Sequence, residues 1–264
     1  MTSLTEAAVA ALNAAEPRDK IRLTLQAARR WAEGEITEIG QTQPPTHPGR
    51  PARPQILPPN KMPRRGTAGQ AGRIAMFHAL AHIEFNAIDL AWDIIARFAA
   101  PTLPKGFYDD WVLVAKQEAE HFVALDMLLR EMGADYGALP AHNGLWQAAE
   151  KTSGDLLQRL AVVPMTFEAR ALDTAPITIN KMVGSVDLNT VQALRKIVDE
   201  EIIHVAAGTR WFRYVCDQQG LDARLHYQAI IRDYFPEGLK HPFNKQARDE
   251  AGLPADFYEP LAAG

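Results

Sequence analysis

Two Glu-x-x-His motifs, Glu118–His121 and Glu201–His204, constrain this chain more than any other feature. Each follows a glutamate one helical hairpin upstream, Glu84 before the first and Glu168 before the second. On a helix, positions i and i+3 project from one face, so each motif aims a carboxylate and an imidazole together. The neighbours on those faces are apolar. Glu84 shares its stripe with Phe77, Ala81, Ile88 and Ala91, and Glu118 with Trp111, Ala115, Phe122 and Leu125. Glu168 is flanked by Ala161, Met165, Leu172 and Ala175, and Glu201 by Leu194, Ile197, Val205 and Gly208. All four carboxylates are therefore expected on core-facing stripes, where glutamate is seldom found without compensation.

Burying an ionised carboxylate is costly unless a cation sits beside it. No lysine or arginine occupies these stripes within one turn of the glutamates. Four glutamates and two histidines from four helices are the ligand set of carboxylate-bridged di-iron and di-manganese bundles. Two divalent ions would balance the four carboxylates and leave both imidazoles neutral. An oxygen-rich set with one nitrogen per ion suits Fe or Mn better than structural zinc. The expected cofactor is two Fe ions, with Mn as the alternative. Glu84, Glu118 and His121 are expected on one metal, Glu168, Glu201 and His204 on the other, with Glu118 and Glu201 as bridges. A single Glu-x-x-His arises easily by chance, and a lone helical glutamate is most often a solvated surface residue. Two matched motifs with matched upstream glutamates are a far stronger signal. An internal repeat adds to it: IEFNAIDLA (83–91) aligns with FEARALDTA (167–175), sharing the glutamate and an aspartate five residues later.

Periodicity predicts an all-α chain, because alternating strand patterns are nearly absent. A length of 264 residues, 47% of them hydrophobic, suits one large domain with extensions. Residues 1–40 read as an N-terminal helical extension. Residues 41–66 carry Pro44, Pro45, Pro48, Pro51, Pro54, Pro58, Pro59 and Pro63, which forbid regular helix and favour an extended wrapping segment. Residues 67–220 are expected to form a ferritin-like four-helix bundle with a long crossover. Its helices are predicted over 72–98, 108–132, 155–182 (kinked at Pro164 and Pro176) and 188–219, the last stopping at Gly220. Residues 221–264 are expected to pack a last helix, 222–234, and a tail on the bundle.

A net charge of −4 gives no global basic field for nucleic acid or membranes. The single cysteine, Cys216, suits a reducing compartment. The N-terminus lacks a basic start before its apolar stretch, and no apolar run approaches the roughly 18 residues that span a bilayer. A cytoplasmic protein without membrane contact is expected.

Further residues have weaker claims. Glu200, Gln117 and His82 are candidates for orienting metal ligands from behind, as outer carboxylates and amides do. His78 and His82 lie a turn apart, but they point away from Glu84 and fit packing better. Asp89 and Asp173, the repeated aspartates, are expected to pair with basic residues such as Arg170. Arg50, Arg53, Lys61, Arg64 and Arg65 make the proline-rich segment locally basic. They could hold an anionic substrate or RNA, although a solvated or internally paired loop is the commoner outcome.

At PPNKMPRRG (58–66), GRIAMFHALAHIEFNAIDLAWD (72–93), KQEAEHF (116–122), FEARALD (167–173), DEEIIHVAAGTRWF (199–212) and KHPFNKQAR (240–248), the chain resembles a ferritin-like family known as domain of unknown function 455. The resemblance runs from about residue 50 onward. It implies a ferritin-like bundle with a di-metal centre at the six positions above, and it brings no substrate with it. More distantly, the layout is similar to bacterial di-iron tRNA hydroxylases, a likeness of scaffold that says little about substrate.

The expected function is a non-haem di-iron or di-manganese oxidoreductase, using O2 to oxidise or hydroxylate a small molecule with the help of an electron donor. The catalytic machinery would be the metal centre itself. A ferroxidase or iron-handling protein and a di-manganese catalase are the alternatives, and a homodimer is compatible with all three.

Overall fold

The structure is a computed structural model, and it describes residues 2–63, 69–183 and 186–263. Arg64, Arg65 and Gly66, which the sequence reading placed in the basic proline-rich segment, lie outside the described residues. The chain is all-α, with no strand among the described residues, only isolated bridges. Among the described residues, no helix is long and apolar enough to cross a membrane. The chain divides into two compact units, Met1–Glu150 and Lys151–Gly264.

The first unit is built on α3 (Gly69–Arg97) and α4 (Lys105–Glu131), which pack against each other. α1 (Leu4–Asn13) lies on α3, and α2 (Pro17–Ala32) lies on α1 and α4. Ser3 and Glu6 close a capping box at the start of α1, satisfying donors the helix leaves open. The proline-rich stretch then runs along this unit. Gly49 N donates to Leu12 O at 2.7 Å, and a Cβ on Gly49 would lie 2.4 Å from Asn13 O, so only glycine passes so close to the end of α1. Leu57 N and Ala141 N bond reciprocally to Ala141 O and Gln55 O, joining this stretch to the connection that leads into α5 (Gly144–Lys151).

A buried polar knot ties these layers. Lys20 is fully buried, and its Nζ donates to Ala11 O (3.0 Å), Leu12 O (3.1 Å) and Asp89. A cation at the C-terminal carbonyls of α1 also meets the negative end of that helix. Burial nevertheless pushes the Lys20 ammonium below its ordinary pKa, against the pull of Asp89. Arg50, from the proline-rich stretch, bonds the other Asp89 oxygen and reaches Asn86 Oδ1 at 2.6 Å. The basic residue Arg50 is thus paired inside its own unit.

In the second unit, the predicted kinked helix over 155–182 is α6 (Leu156–Val162), a π-helical turn (Val163–Glu168) and α7 (Ala169–Met182). Pro164 cannot donate to the helix ladder, and the register widens there. Thr166 Oγ1 donates to Ala161 O at 2.8 Å across the wide turn. Pro176 sits inside α7, where its missing N–H would have bonded Leu172 O. Asn244 Nδ2 occupies that acceptor at 3.2 Å instead. α8 (Leu188–Gln219) is capped by Asp187, which accepts from Thr190 N, and ends at Gly220 with φ of 67°. α9 (Ala223–Tyr234) packs on α6 and α8, and α10 (Lys245–Glu250) on α7 and α8. α11 (Ala255–Tyr258) lies against α9. Asp173 on α7 takes a two-bond contact from the buried Arg248, Nε to Oδ1 at 2.9 Å and Nη2 to Oδ2 at 2.7 Å, with Arg170 Nη1 3.6 Å away.

Asp89→Leu would strand two cations, one of them fully buried. Removing one partner of such a buried group costs about 3–5 kcal/mol. The loss should appear as a lower urea midpoint with an unchanged slope, whereas a cost under about 1 kcal/mol would mean that the knot is not stabilising.

Candidate metal centre

Each unit assembles one Glu/Glu/His triad. In the first, α3 supplies Glu84 and α4 supplies Glu118 and His121. His121 Nδ1 lies 3.3 Å from Glu84 Oε2 and 3.7 Å from Glu118 Oε2. All three residues are buried. The i, i+3 spacing places Glu118 and His121 on one face of α4, and packing of α3 on α4 brings Glu84 to them. The apolar stripe foreseen around these carboxylates is buried as well: Phe77, Ala81, Ile88, Trp111, Ala115, Phe122 and Leu125 all lie in the core.

In the second unit, the π-helical turn ends at Glu168, and α8 supplies Glu201 and His204. His204 Nδ1 is 3.7 Å from Glu201 Oε1. One donor atom from each of the three residues lies within 4.8 Å of the others. Glu201 and His204 are buried, while Glu168 is half-buried, more open than its apolar neighbours suggested. It closes the widened π turn, where the helical face no longer follows the 3.6-residue period that the sequence reading assumed.

A close approach sets this second triad. Gly208, two turns past Glu201 on α8, faces Pro164 in the π turn, and a Cβ there would lie 2.5 Å from the Pro164 Cβ. The rigid proline ring cannot swing aside. Gly208 therefore lets the turn that carries Glu168 pack against the helix that carries Glu201 and His204.

The donor chemistry fits a metal ion. Each triad offers carboxylate oxygens and one imidazole Nδ1, all hard or borderline donors suited to Fe or Mn. Charge points the same way. Burial by itself would lower the pKa of His121, but the hydrogen bonds and negative charges of Glu118 and Glu84 outweigh it and lift it to about 12. The triad thus attracts positive charge strongly, and a bound divalent ion would displace the imidazole proton.

His82 Nδ1 pairs with the Tyr136 hydroxyl at 2.9 Å and Nε2 with His142 O at 3.1 Å, and burial lowers its pKa to about 4. Its ring holds the connection between α4 and α5. His78 Nε2 does similar work, accepting from Gly137 N at 2.9 Å. Gln117 is buried on α4, and Glu200 lies 3.6 Å from Lys196 on α8. Two structural parts of the second triad do not follow from a constant helical period: the π turn and the Gly208–Pro164 contact. The proline within a helical run and the glycine on the Glu201 stripe are the signals for them in the sequence.

Gly208→Ala should cost about 1–3 kcal/mol through overpacking. It should also lower the metal content of the purified protein, counted by plasma mass spectrometry, with the loss confined to the second triad. Unchanged metal content would show that the close contact does not position Glu168.

The comparisons with known proteins agree on kinship and are silent on chemistry. An uncharacterized protein of Haemophilus influenzae is 37% identical over 208 residues, covering 77% of this chain and 72% of the relative. No solved structure matches the chain. The family model described as "Protein of unknown function (DUF455)" matches residues 13–259. The chain belongs to that family.

Proposed function

We propose that this protein is a di-metal oxidoreductase whose six ligands are Glu84, Glu118, His121, Glu168, Glu201 and His204. The observation that carries the reading is the repetition: two units each bring two glutamates and one histidine together through an upstream helix and a Glu-x-x-His helix. Residues 67–220 would then form a ferritin-like four-helix bundle that pools the two triads. Residues 1–40 and 41–66 would cover it, and 221–264 would pack against it. Glu118 and Glu201 are the proposed bridges, since each belongs to a motif that also presents an imidazole.

Bound iron would supply the electrons and the Lewis acidity that O2 chemistry needs. The chain contributes the rest. The four carboxylates balance the ionic charge, and the two Nδ1 atoms fix the orientation of their rings. The apolar stripes exclude water, which strengthens every electrostatic contact within. Glu168, the half-buried ligand, is the candidate for the side on which a substrate or O2 arrives. The proposed setting is a reducing, cytoplasmic one with an external electron donor, matching the buried lone thiol of Cys216.

Metal analysis of protein from cells grown with balanced Fe and Mn, followed by anaerobic reduction and O2 exposure, tests this reading. The expected result is two irons per chain, with O2 uptake in proportion to the ferrous ions. Glu84→Leu and Glu168→Leu should each lose metal. Progressive loading far beyond two irons would favour iron storage, and two manganese ions with peroxide turnover would favour a catalase. Leucine variants that gain stability from a wild type without copurifying metal would overturn the metal reading altogether.

A further inference from the structure

The second unit contains a cavity of about 530 Å³ that the metal reading does not use. Its size falls within the range of small-molecule sites. Phe167, Tyr234, Phe235 and Phe243 line it, with Phe167 set edge-on to Phe235 at 5.6 Å between centroids. Apolar surface dominates the walls, and cations punctuate them.

The charges do not cancel. Arg170, Lys240 and Arg248 line the cavity against Asp173 and Glu237, three cations to two carboxylates. Asp173 is committed to Arg248 through two hydrogen bonds. Arg170 spends its donors on neutral acceptors, the carbonyls of Lys240 (2.7 Å), Pro242 (2.9 Å) and His241 (3.1 Å). That clamp shapes the loop, and Arg170 Nη1 also lies 3.6 Å from Asp173 Oδ2, so that Arg170 and Arg248 share one carboxylate. Lys240 is exposed, and its Nζ makes no hydrogen bond or ion pair among the described residues. Arg248 is 2% exposed, lies 4.3 Å from the Tyr258 ring and 5.1 Å from that of Phe243, and retains an Nη1 without a hydrogen-bond partner. A surplus of one positive charge above an aromatic floor selects a ligand with one negative charge and an apolar body.

We propose that this cavity binds a small organic monoanion, an aromatic or aliphatic body ending in a carboxylate. The carboxylate would sit toward Lys240 and Arg170, and the body would lie against Phe167, Phe235 and Phe243. Phe167 and Arg170 bracket Glu168 in sequence, so the bound molecule would lie along the same turn as that carboxylate. The inference goes beyond the metal reading and stands on the cavity residues alone.

Isothermal titration of the protein as purified, with 4-phenylbutyrate as the probe, tests it. One probe should bind per chain, and neutral 4-phenylbutan-1-ol and acetate should each bind weaker by about tenfold or more. Lys240→Gln should weaken the probe by about fivefold, as fits a partly exposed charge. Phe235→Ala should weaken it further, and Ile56→Ala, in the other unit, should leave it unchanged. Equal melting temperatures would confirm that the variants fold. No binding at millimolar probe, equal affinity for acid and alcohol, or indifference to both cavity variants would each overturn the proposal. Metal counted in the same samples separates the two readings: metal-free protein that binds the probe sinks only the metal centre, and metal-loaded protein that does not bind it sinks only this site.

Discussion

The rule that a buried negative charge must meet a positive one organises this protein. Both repeated aspartates obey it with side-chain cations. Asp89 meets Lys20 and Arg50, and Asp173 meets Arg248 with Arg170 close by. These are long-range contacts, and each draws a distant segment onto a core helix: the proline-rich stretch and α2 onto α3, the C-terminal tail onto α7. Five residues before each aspartate stands a glutamate whose neighbours are a second glutamate and an imidazole. The same charge rule, applied to those triads, gives two groups of side chains that could hold a metal ion.

Local backbone irregularity serves the same ends. Pro164 turns α-helix into π-helix at the residues leading to Glu168, and π turns recur where a helix must present a functional side chain out of register. Gly208 makes room for that turn. Pro176 frees a carbonyl that Asn244 then uses to anchor the tail, beside the Asp173–Arg248 pair. The tail thereby gains its fixed course, and with the clamp of Arg170 it forms one wall of the aromatic cavity.

Much of this is legible in the residues. The all-α class follows from periodicity, and α8 ends at Gln219 as the following glycine predicts, with Gly220 in the left-handed conformation that glycine favours. The pairing of Asp173 and of Asp89 with basic residues also follows from ordinary charge reasoning. The Glu-x-x-His spacing alone places each carboxylate beside its imidazole. Illegible parts share one cause, distance along the chain. Lys20 reads as a surface lysine in a basic helix until its partner 69 residues away is known. The half-burial of Glu168 depends on a change of helical register that no constant period predicts. The cavity is made by side chains from α7 and from the tail, which nothing local connects.

The proposed di-metal centre is tested most directly by anomalous diffraction at the iron edge from crystals of iron-loaded protein. Two peaks are expected, one beside Glu84, Glu118 and His121 and one beside Glu168, Glu201 and His204. Absence of iron from both triads in loaded crystals, or iron held by other residues, would contradict it.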